Sequence, residues 1–562
     1  MRPETNVCIL TTSPLLLYSY NMATEFRVLL LYPNLHMMLV PSTAIALFTK
    51  VLKDEAITVD LFDTTHYFHN ETTSAEKRVE TLQYRPFDPE NDLSFKKISG
   101  DKLIPDFLQK IRLFKPHLII VSIVEDTFKQ AIMLLDHIKD QNIPTLMGGV
   151  FVTAAPEKVI SYESVKMIGL GEGENVVKNV SCSLRDNLPL NNIQNLWFKN
   201  NDGMVVRNKI GPLIDLNKPM PDYSLFEEKR FMRPMGGRVF KTLPLESYRG
   251  CPFQCAFCNS PMQVAFAQNN ELGNFLRRKK INKLRDEIRY LIDTHQPEYF
   301  YFVDDSFLSR PRSEIDEFVK MYSEFKIPFW FNTRPESISP DTLSMLKSVG
   351  LDRLSVGLEH GNEEFRQKVL LRRPSNKALL KHFETLAHAG IAFSINNIIG
   401  FPDETRELVF ETIEFNRQLS GFDALTVSIF TPYHGTALRK EAINKGYLDE
   451  NTFTTHTTSS SLLTMPQLTS EQIDGMFRTF LMYVRFEKAL WKDIQRAEKL
   501  DSEGNKMWNA LFSLYQERFY KTDQEGHKLT EHISIQNNVT IKHPKGDHWE
   551  EVFGSMSKTQ MR

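Results

Sequence analysis

Three cysteines, Cys251, Cys255 and Cys258, stand together in the run R-G-C-P-F-Q-C-A-F-C-N. Whatever this chain folds into must present all three thiols on one short loop. The other two cysteines, Cys8 and Cys182, are far from the run. Three thiolates on one loop can each hold one iron of a 4Fe–4S cube and leave the fourth iron open to a non-protein ligand. Four cysteines would close such a cluster for electron transfer. The alternative is structural zinc, which takes four tetrahedral ligands, often as two C-x-x-C pairs. No second pair exists here.

The C-x-x-x-C-x-F-C spacing resembles the signature of radical S-adenosylmethionine (SAM) enzymes. That resemblance implies a 4Fe–4S cluster whose open iron is chelated by the amino and carboxylate groups of SAM. An electron from the cluster then cleaves SAM to methionine and a 5′-deoxyadenosyl radical. Phe257 fills the family's aromatic position against adenine.

Length and composition fit a large enzyme. The 562 residues exceed one core and suggest about three domains. Apolar residues make up 41% and charged residues 25%, and the net charge of −2 offers no global field for nucleic acid. Five cysteines, three of them clustered, argue for a reducing compartment rather than a disulfide scaffold. No apolar run reaches 18 residues, so no membrane span is expected. Residues 1–24 read as an extension, with Met22 as an alternative initiator; a signal peptide is only weakly indicated there.

Residues 25–185 alternate apolar strands with helices, which implies a doubly wound parallel sheet covered on both faces. Strands are expected at Phe26–Tyr32, Ile57–Phe62, His117–Val124, Pro144–Met147 and Val165–Gly169. Helices are expected at Ser42–Leu52 and Thr127–Lys139. Ligands of such sheets bind at the carboxyl ends of the strands. Ser122 and the Gly148-Gly149 pair resemble the S-x-L and G-G elements lining the nucleotide tail of cobalamin in domains fused ahead of radical SAM domains. Glycines suit that place because they let the backbone approach a bulky ligand closely. The bland alternative is a plain doubly wound domain with turn glycines. Asn34-Leu35-His36 stands where histidine-ligating cobalamin domains read D-x-H. The resemblance therefore implies cobalamin held without a histidine ligand, with Asn34 and its neighbours under the corrin. His36 remains a candidate cobalt ligand. His66 and His69 are placed in a polar loop over Asp63–Asp92 and receive no role.

Residues 186–240 read as a connector, with a hairpin at Asp202-Gly203 and an extended stretch around Pro219 and Pro221. Residues 241–450 repeat strand and helix six times, matching the partial (β/α)6 barrel of radical SAM enzymes. Active groups belong at the strand ends of such barrels. There Asp304 and Asp305 occupy the place of the family's G-G-E element; a helix N-cap is the alternative. Glu359 in G-L-E-H-G resembles the family's acceptor for ribose or amino groups. Its alternative is a salt bridge with Arg334 or Arg353. Gly400 in I-I-G-F-P-D-E-T matches the turn near adenine. P-Y-H-G-T places His434 where the family has proline, and a turn histidine without a partner is bland. Residues 451–562 read as mainly helical. Ile473, Met476, Phe477, Phe480, Leu481, Val484 and Leu490 form an apolar stripe, for core packing or for a lid over an apolar substrate.

The resemblance covers roughly residues 25–450. It implies a cobalamin-dependent radical SAM methyltransferase acting on an unactivated carbon: one SAM methylates the corrinoid, and the radical from a second activates the substrate. A cyclase with the same cofactors is the enzymatic alternative, and a cobalamin or redox sensor the non-catalytic one. A methylthio transferase fits less well, since no second three-cysteine set is present. The expected partners are a small or lipid-like substrate and a flavodoxin or ferredoxin, in the cytoplasm.

Overall fold

The computed structural model describes residues 25–520 except 37, 69–72, 86–96, 219 and 237. The extension over residues 1–24, Cys8, His69, Pro219 and the stretch after Tyr520 lie outside the described residues. Two seven-stranded sheets organise the rest.

The first sheet contains β1 (Arg27–Tyr32), β2 (Thr58–Asp63), β3 (Leu118–Ser122), β4 (Thr145–Gly148), β5 (Met167–Gly169), β6 (Leu196–Lys199) and β7 (Val205–Arg207), in the order β2-β1-β3-β4-β5-β6-β7. Its first five strands are parallel. The strands are apolar on both faces because both faces are covered. Val28 and Leu30 pack into one core layer, Leu29 and Leu31 into the other. Helix α1 (Thr43–Asp54) starts where the Ser42 side chain accepts the Ile45 N–H. Helices α2 (Glu125–Asp136) and α3 (Glu174–Arg185) follow β3 and β5. The strand order reverses between β1 and β3, the point at which doubly wound sheets open a ligand crevice.

The hairpin around Asp202-Gly203 departs from the expected connector. It pairs antiparallel with β5 and completes the first sheet. The reason is the open edge of β5, whose backbone groups need partners. The chain beyond the hairpin is no loose linker either. Tyr223, Phe226 and Phe231 are buried in a core shared by both sheets. The Tyr223 hydroxyl donates to the Pro244 carbonyl at 3.1 Å. Arg230, also buried, bonds Asp63 at 2.8 Å and donates to the carbonyls of Met38 and Leu39.

The second sheet runs β8 (Met232–Met235), β9 (Arg238–Leu245), β10 (Tyr299–Phe302), β11 (Phe329–Thr333), β12 (Leu351–Glu359), β13 (Ala392–Ile399) and β14 (Ala424–Ile429), in chain order. Strands β9 to β14 are parallel and form the expected half-barrel. Phe300, Phe302, Phe329, Phe331, Leu354 and Phe393 pack outward in the helix-covered core. Strand β14 is an edge, and a segment of the first domain covers it. The Gln83 side chain accepts the Val427 N–H at 2.9 Å, while Arg78 donates to the Val427 carbonyl and to Ser428 Oγ. From sequence this segment is expected to lie in a polar loop. A capping box between Thr73 and Glu76 instead starts a short helix there. Every residue of the C-terminal apolar stripe is buried, and helix Ser470–Arg485 packs on Arg406–Arg417 and β14. Core packing accounts for it. Among the described residues no helix is long and apolar enough to cross a membrane.

Tyr223→Ala empties a buried aromatic site between the sheets. It is expected to cost about 3–5 kcal/mol of unfolding free energy, whereas Tyr223→Phe should cost about 1 kcal/mol for the lost hydrogen bond. Urea denaturation of the two variants checks both values.

Candidate active site

The cysteine loop follows β9 and leads into helix Ser260–Asn269. Cys255 is buried and Cys251 and Cys258 are half-buried. Burial pushes the Cys251 thiol up to about 11 and the Cys258 thiol up to about 12. A metal group bound there would hold them as thiolates. Donors already face the sulfurs. The Ser260 N–H lies 3.4 Å from Cys258 Sγ, and Arg334 Nη1 lies 3.4 Å from Cys255 Sγ. Among the described residues no three His, Cys, Asp or Glu side chains are grouped to hold a single metal ion. Three thiolates that each take a different iron have no need to converge on one point.

The loop is anchored from the first domain. Arg249 bonds Glu246 at 2.9 Å, and from the G-E-G-E loop Glu172 at 2.8 Å and Glu174 at 3.2 Å. Arg277 also pairs with Glu172. Burial pushes the Glu174 carboxyl up, against the pull of Arg249. The sequence alone gives none of these partners a role. G-E-G-E was visible, but the arginines it meets lie 75 or more residues away.

The turns expected to meet SAM gather at the same mouth. Asp305 is open to a cavity beside the loop and accepts from the Ser260 hydroxyl at 3.3 Å. Asp304 is buried beneath it. One carboxylate oxygen of Asp304 accepts the N–H groups of Ser247 and Tyr248 at 2.8 and 3.0 Å, and the other takes Ser247 Oγ and Arg310. Asp304 is therefore fully engaged in holding the chain before the cysteines. Glu359 ends β12 with φ +69, a left-handed conformation rare outside glycine. Its partner is Arg372 at 3.2 Å, rather than Arg334 or Arg353, and burial pushes its carboxyl up. Gly400, at φ +84, lies against Ile473, and Glu404 accepts the N–H groups of Gly400 and Phe401. The half-buried Phe257 ring packs 5.9 Å from Phe401. Asn259 Oδ1, Arg334 Nε and Glu336 Oε2 are buried there with no partner. A ligand carrying amino, carboxylate and ribose groups can satisfy such orphans, so these residues fit SAM.

The cavity, about 340 Å³, runs from the crevice of the first sheet to the residues just before Cys251. Ser122, Gly148 and Gly149 line one side; Tyr248, Arg249, Gly250 and Asp305 line the other. Leu47 and Phe48 of α1 and Val176 of α3 form its walls. Gly149 has φ +134, and a Cβ there would collide with the Ile123 carbonyl oxygen. This narrow glycine cradle between two helices fits the nucleotide tail of a corrinoid. Asn34 does not line the cavity. It is buried and braces its own loop, through Thr64, Thr65 and the Met38 carbonyl. His36 Nδ1 lies 3.1 Å from the Thr65 carbonyl, and burial pushes its imidazole down to about 4.

His434 acquires the partner that its turn alone did not suggest. Its Nδ1 lies 2.7 Å from Glu125 Oε1, and its N–H donates to Glu125 Oε2 at 2.9 Å. The next carboxylate, Asp126, accepts from the Tyr433 and Thr454 hydroxyls. The first turn of α2 is thus fastened to the turn after β14.

A half-barrel with three cysteines at its mouth thus faces a doubly wound domain across a common cavity. Residues 245–415 match the model of the radical SAM superfamily. An uncharacterized methyltransferase of Pyrococcus horikoshii is 27% identical over 407 residues, covering 71% of this chain and 85% of that protein. The cytidylyl-2-hydroxyethylphosphonate methyltransferase of Streptomyces wedmorensis is 21% identical, over 61% of this chain and 70% of that one. Among solved structures, the radical SAM methyltransferase TsrM from Kitasatospora setae, with cobalamin and a [4Fe-4S] cluster bound, superposes with a TM-score of 0.57. It is 15% identical and is matched over 83% of this chain and 90% of its own.

Two outcomes follow from this geometry. Burial pushes the Asp126 carboxyl up to about 6, above its ordinary 3.8. The folded protein therefore holds an extra proton between those values, and this group's contribution to stability falls as pH rises through that window. Asp126→Asn should remove the decline and raise the unfolding free energy at pH 7 by about 1–2 kcal/mol. Urea denaturation from pH 5 to 8 reads it. Gly149→Ala should lower the unfolding free energy by about 1–3 kcal/mol, since it strains the backbone at φ +134 and sets a Cβ against the Ile123 carbonyl oxygen; urea denaturation measures the loss.

Proposed function

We propose that this protein is a cobalamin-dependent radical SAM methyltransferase that methylates an unactivated carbon of a small molecule. The observation that carries the reading is a cavity that extends from the Ser122–Gly148–Gly149 crevice to Asp305 and to Arg249 and Gly250, the residues immediately before Cys251. Two cofactors bound at its two ends would face a common space. The curated relatives named as methyltransferases support the same reaction class.

In this reading Cys251, Cys255 and Cys258 hold a 4Fe–4S cluster. Asp305, Glu359 and the Gly400 turn hold SAM, with Phe257 against its adenine. Ser122, Gly148 and Gly149 hold the cobalamin tail. Bound there, these cofactors would supply hydrogen-atom abstraction and a methyl donor. The chain's own residues position these groups and keep water out. Arg372 fixes the strained Glu359, Glu404 shapes the Gly400 turn, and Asp304 with Arg310 sets the strand end beside the cysteines. The electron comes from a flavodoxin or ferredoxin, and an oxygen-sensitive open cluster suits the reducing cytoplasm.

The test is anaerobic reconstitution with iron, sulfide and cobalamin, then addition of SAM and reductant. Chromatography should find 5′-deoxyadenosine, with S-adenosylhomocysteine from corrinoid methylation. Cys255→Ala should lower deoxyadenosine by about 100-fold or more and leave corrinoid retention intact. A protein that cleaves SAM yet retains no corrinoid would refute the methyltransferase reading.

A further inference from the structure

Among the described residues, the lumen of the half-barrel holds a cation without a counter-ion. Asn332, Ser355, Ser394 and Asn396 point inward and are half-exposed, while their neighbours Phe331, Leu354, Phe393 and Ile395 are buried outward. A closed barrel is filled with branched apolar side chains; this lumen is polar and open. At its base Tyr301 and Trp330 stack, with ring centroids 4.0 Å apart. The Arg233 guanidinium lies 4.8 Å from the Trp330 ring and 5.4 Å from Tyr301.

Nothing among the described residues neutralises Arg233. Its Nη1 is buried without a hydrogen-bond partner. The groups bearing on it most are Tyr301, Tyr84, Tyr299 and Arg353, none of them a carboxylate. Arg353 is itself paired, with Asp423 at 2.5 Å, yet its Nε is also buried and unpartnered. So is the indole N–H of Trp330, a side chain only 8% exposed. Three buried donors in one wall lack an acceptor, and two belong to guanidinium groups. A buried charge is costly unless something pairs with it, and burial already pushes the Arg233 guanidinium down.

Resting on the proposed methyltransferase reading, we propose that Arg233, Arg353 and the Trp330 indole N–H form an oxyanion-binding subsite that takes a carboxylate or phosphate group of the substrate. Guanidinium forks match the oxygens of both groups. Trp330 is four residues, roughly 13 Å along the strand, from Arg334, which touches Cys255. The substrate is therefore an elongated anion, its charged end at the base of the lumen and its reacting carbon near the cluster.

The probes are inorganic pyrophosphate and succinate, titrated into the anaerobically reconstituted enzyme at constant ionic strength. A saturable rise of the melting midpoint by about 2–4 °C is expected with one of them, and which one responds tells phosphate from carboxylate. Arg233→Met should abolish the rise, and Trp330→Phe, which keeps the ring and loses the donor, should weaken the probe's affinity several-fold. Should Arg233→Met not fold, Arg233→Lys keeps the charge without the fork and should weaken affinity about tenfold. No saturable rise in the wild type with either probe, or a rise that survives in the Arg233 variant, overturns the subsite. The titration needs no turnover. SAM cleavage and corrinoid retention without anion binding would remove this inference alone. Anion binding by a protein that retains no corrinoid would remove the methyltransferase reading and leave the subsite.

Discussion

Arg249 is the joint on which the molecule depends. It stands two residues before Cys251 and bonds three carboxylates, two of them from the first domain. Buried acids are tolerated only when paired, so Glu172 and Glu174 hold the G-E-G-E loop against the cysteine loop. The same contact therefore sets the distance between the crevice of the first sheet and the mouth of the half-barrel. Two binding regions that belong to different sheets become walls of one cavity.

Other contacts keep that joint in register. Arg230 and Tyr223 clamp the connector between the sheets. Glu125 and Asp126, at the start of α2, are fastened to the turn and loop that follow β14. The side chains of Arg78 and Gln83 close the last barrel edge by hydrogen-bonding the Val427 backbone. An uncovered edge strand invites foreign pairing, and the domain that covers it here is the one that faces the mouth. Domain docking and protection of the barrel edge are one arrangement.

The mouth itself is built from local strain held by neighbours. Glu359 keeps a left-handed backbone because Arg372 holds its carboxylate. Gly149 and Gly400 take conformations that ordinary side chains resist, and in both cases a neighbour leaves little room for a Cβ. Strained positions persist where surrounding structure over-determines them. All three lie at strand ends, where a parallel α/β fold exposes its backbone to ligands.

Much was legible in the chain alone. The cysteine spacing and the rhythm of apolar strands are local properties, governed by side-chain chemistry and backbone periodicity, and they point to both sheets and to the stripe from Ile473 to Leu490. Ser122, Gly148, Gly149 and Asp305 were picked from short runs and do line one cavity. What the sequence left open was pairing over distance. Whether Glu359 meets Arg334, Arg353 or Arg372 depends on which strand ends adjoin, and no local pattern encodes that. Asp304 and Asp305 are adjacent and chemically alike, yet backbone direction turns one under the loop and leaves the other facing the cavity. Asn34 is expected under a corrin from its place after the first strand, and only the folded structure shows that Thr64 and Thr65 reach it from the neighbouring strand end. The hairpin at Asp202-Gly203 was evident as a hairpin, but its place at the sheet edge followed from the open side of β5. Residue types fixed which chemistry the chain can hold; only the folded arrangement, through burial and long-range charge pairing, decided which of those residues face one another.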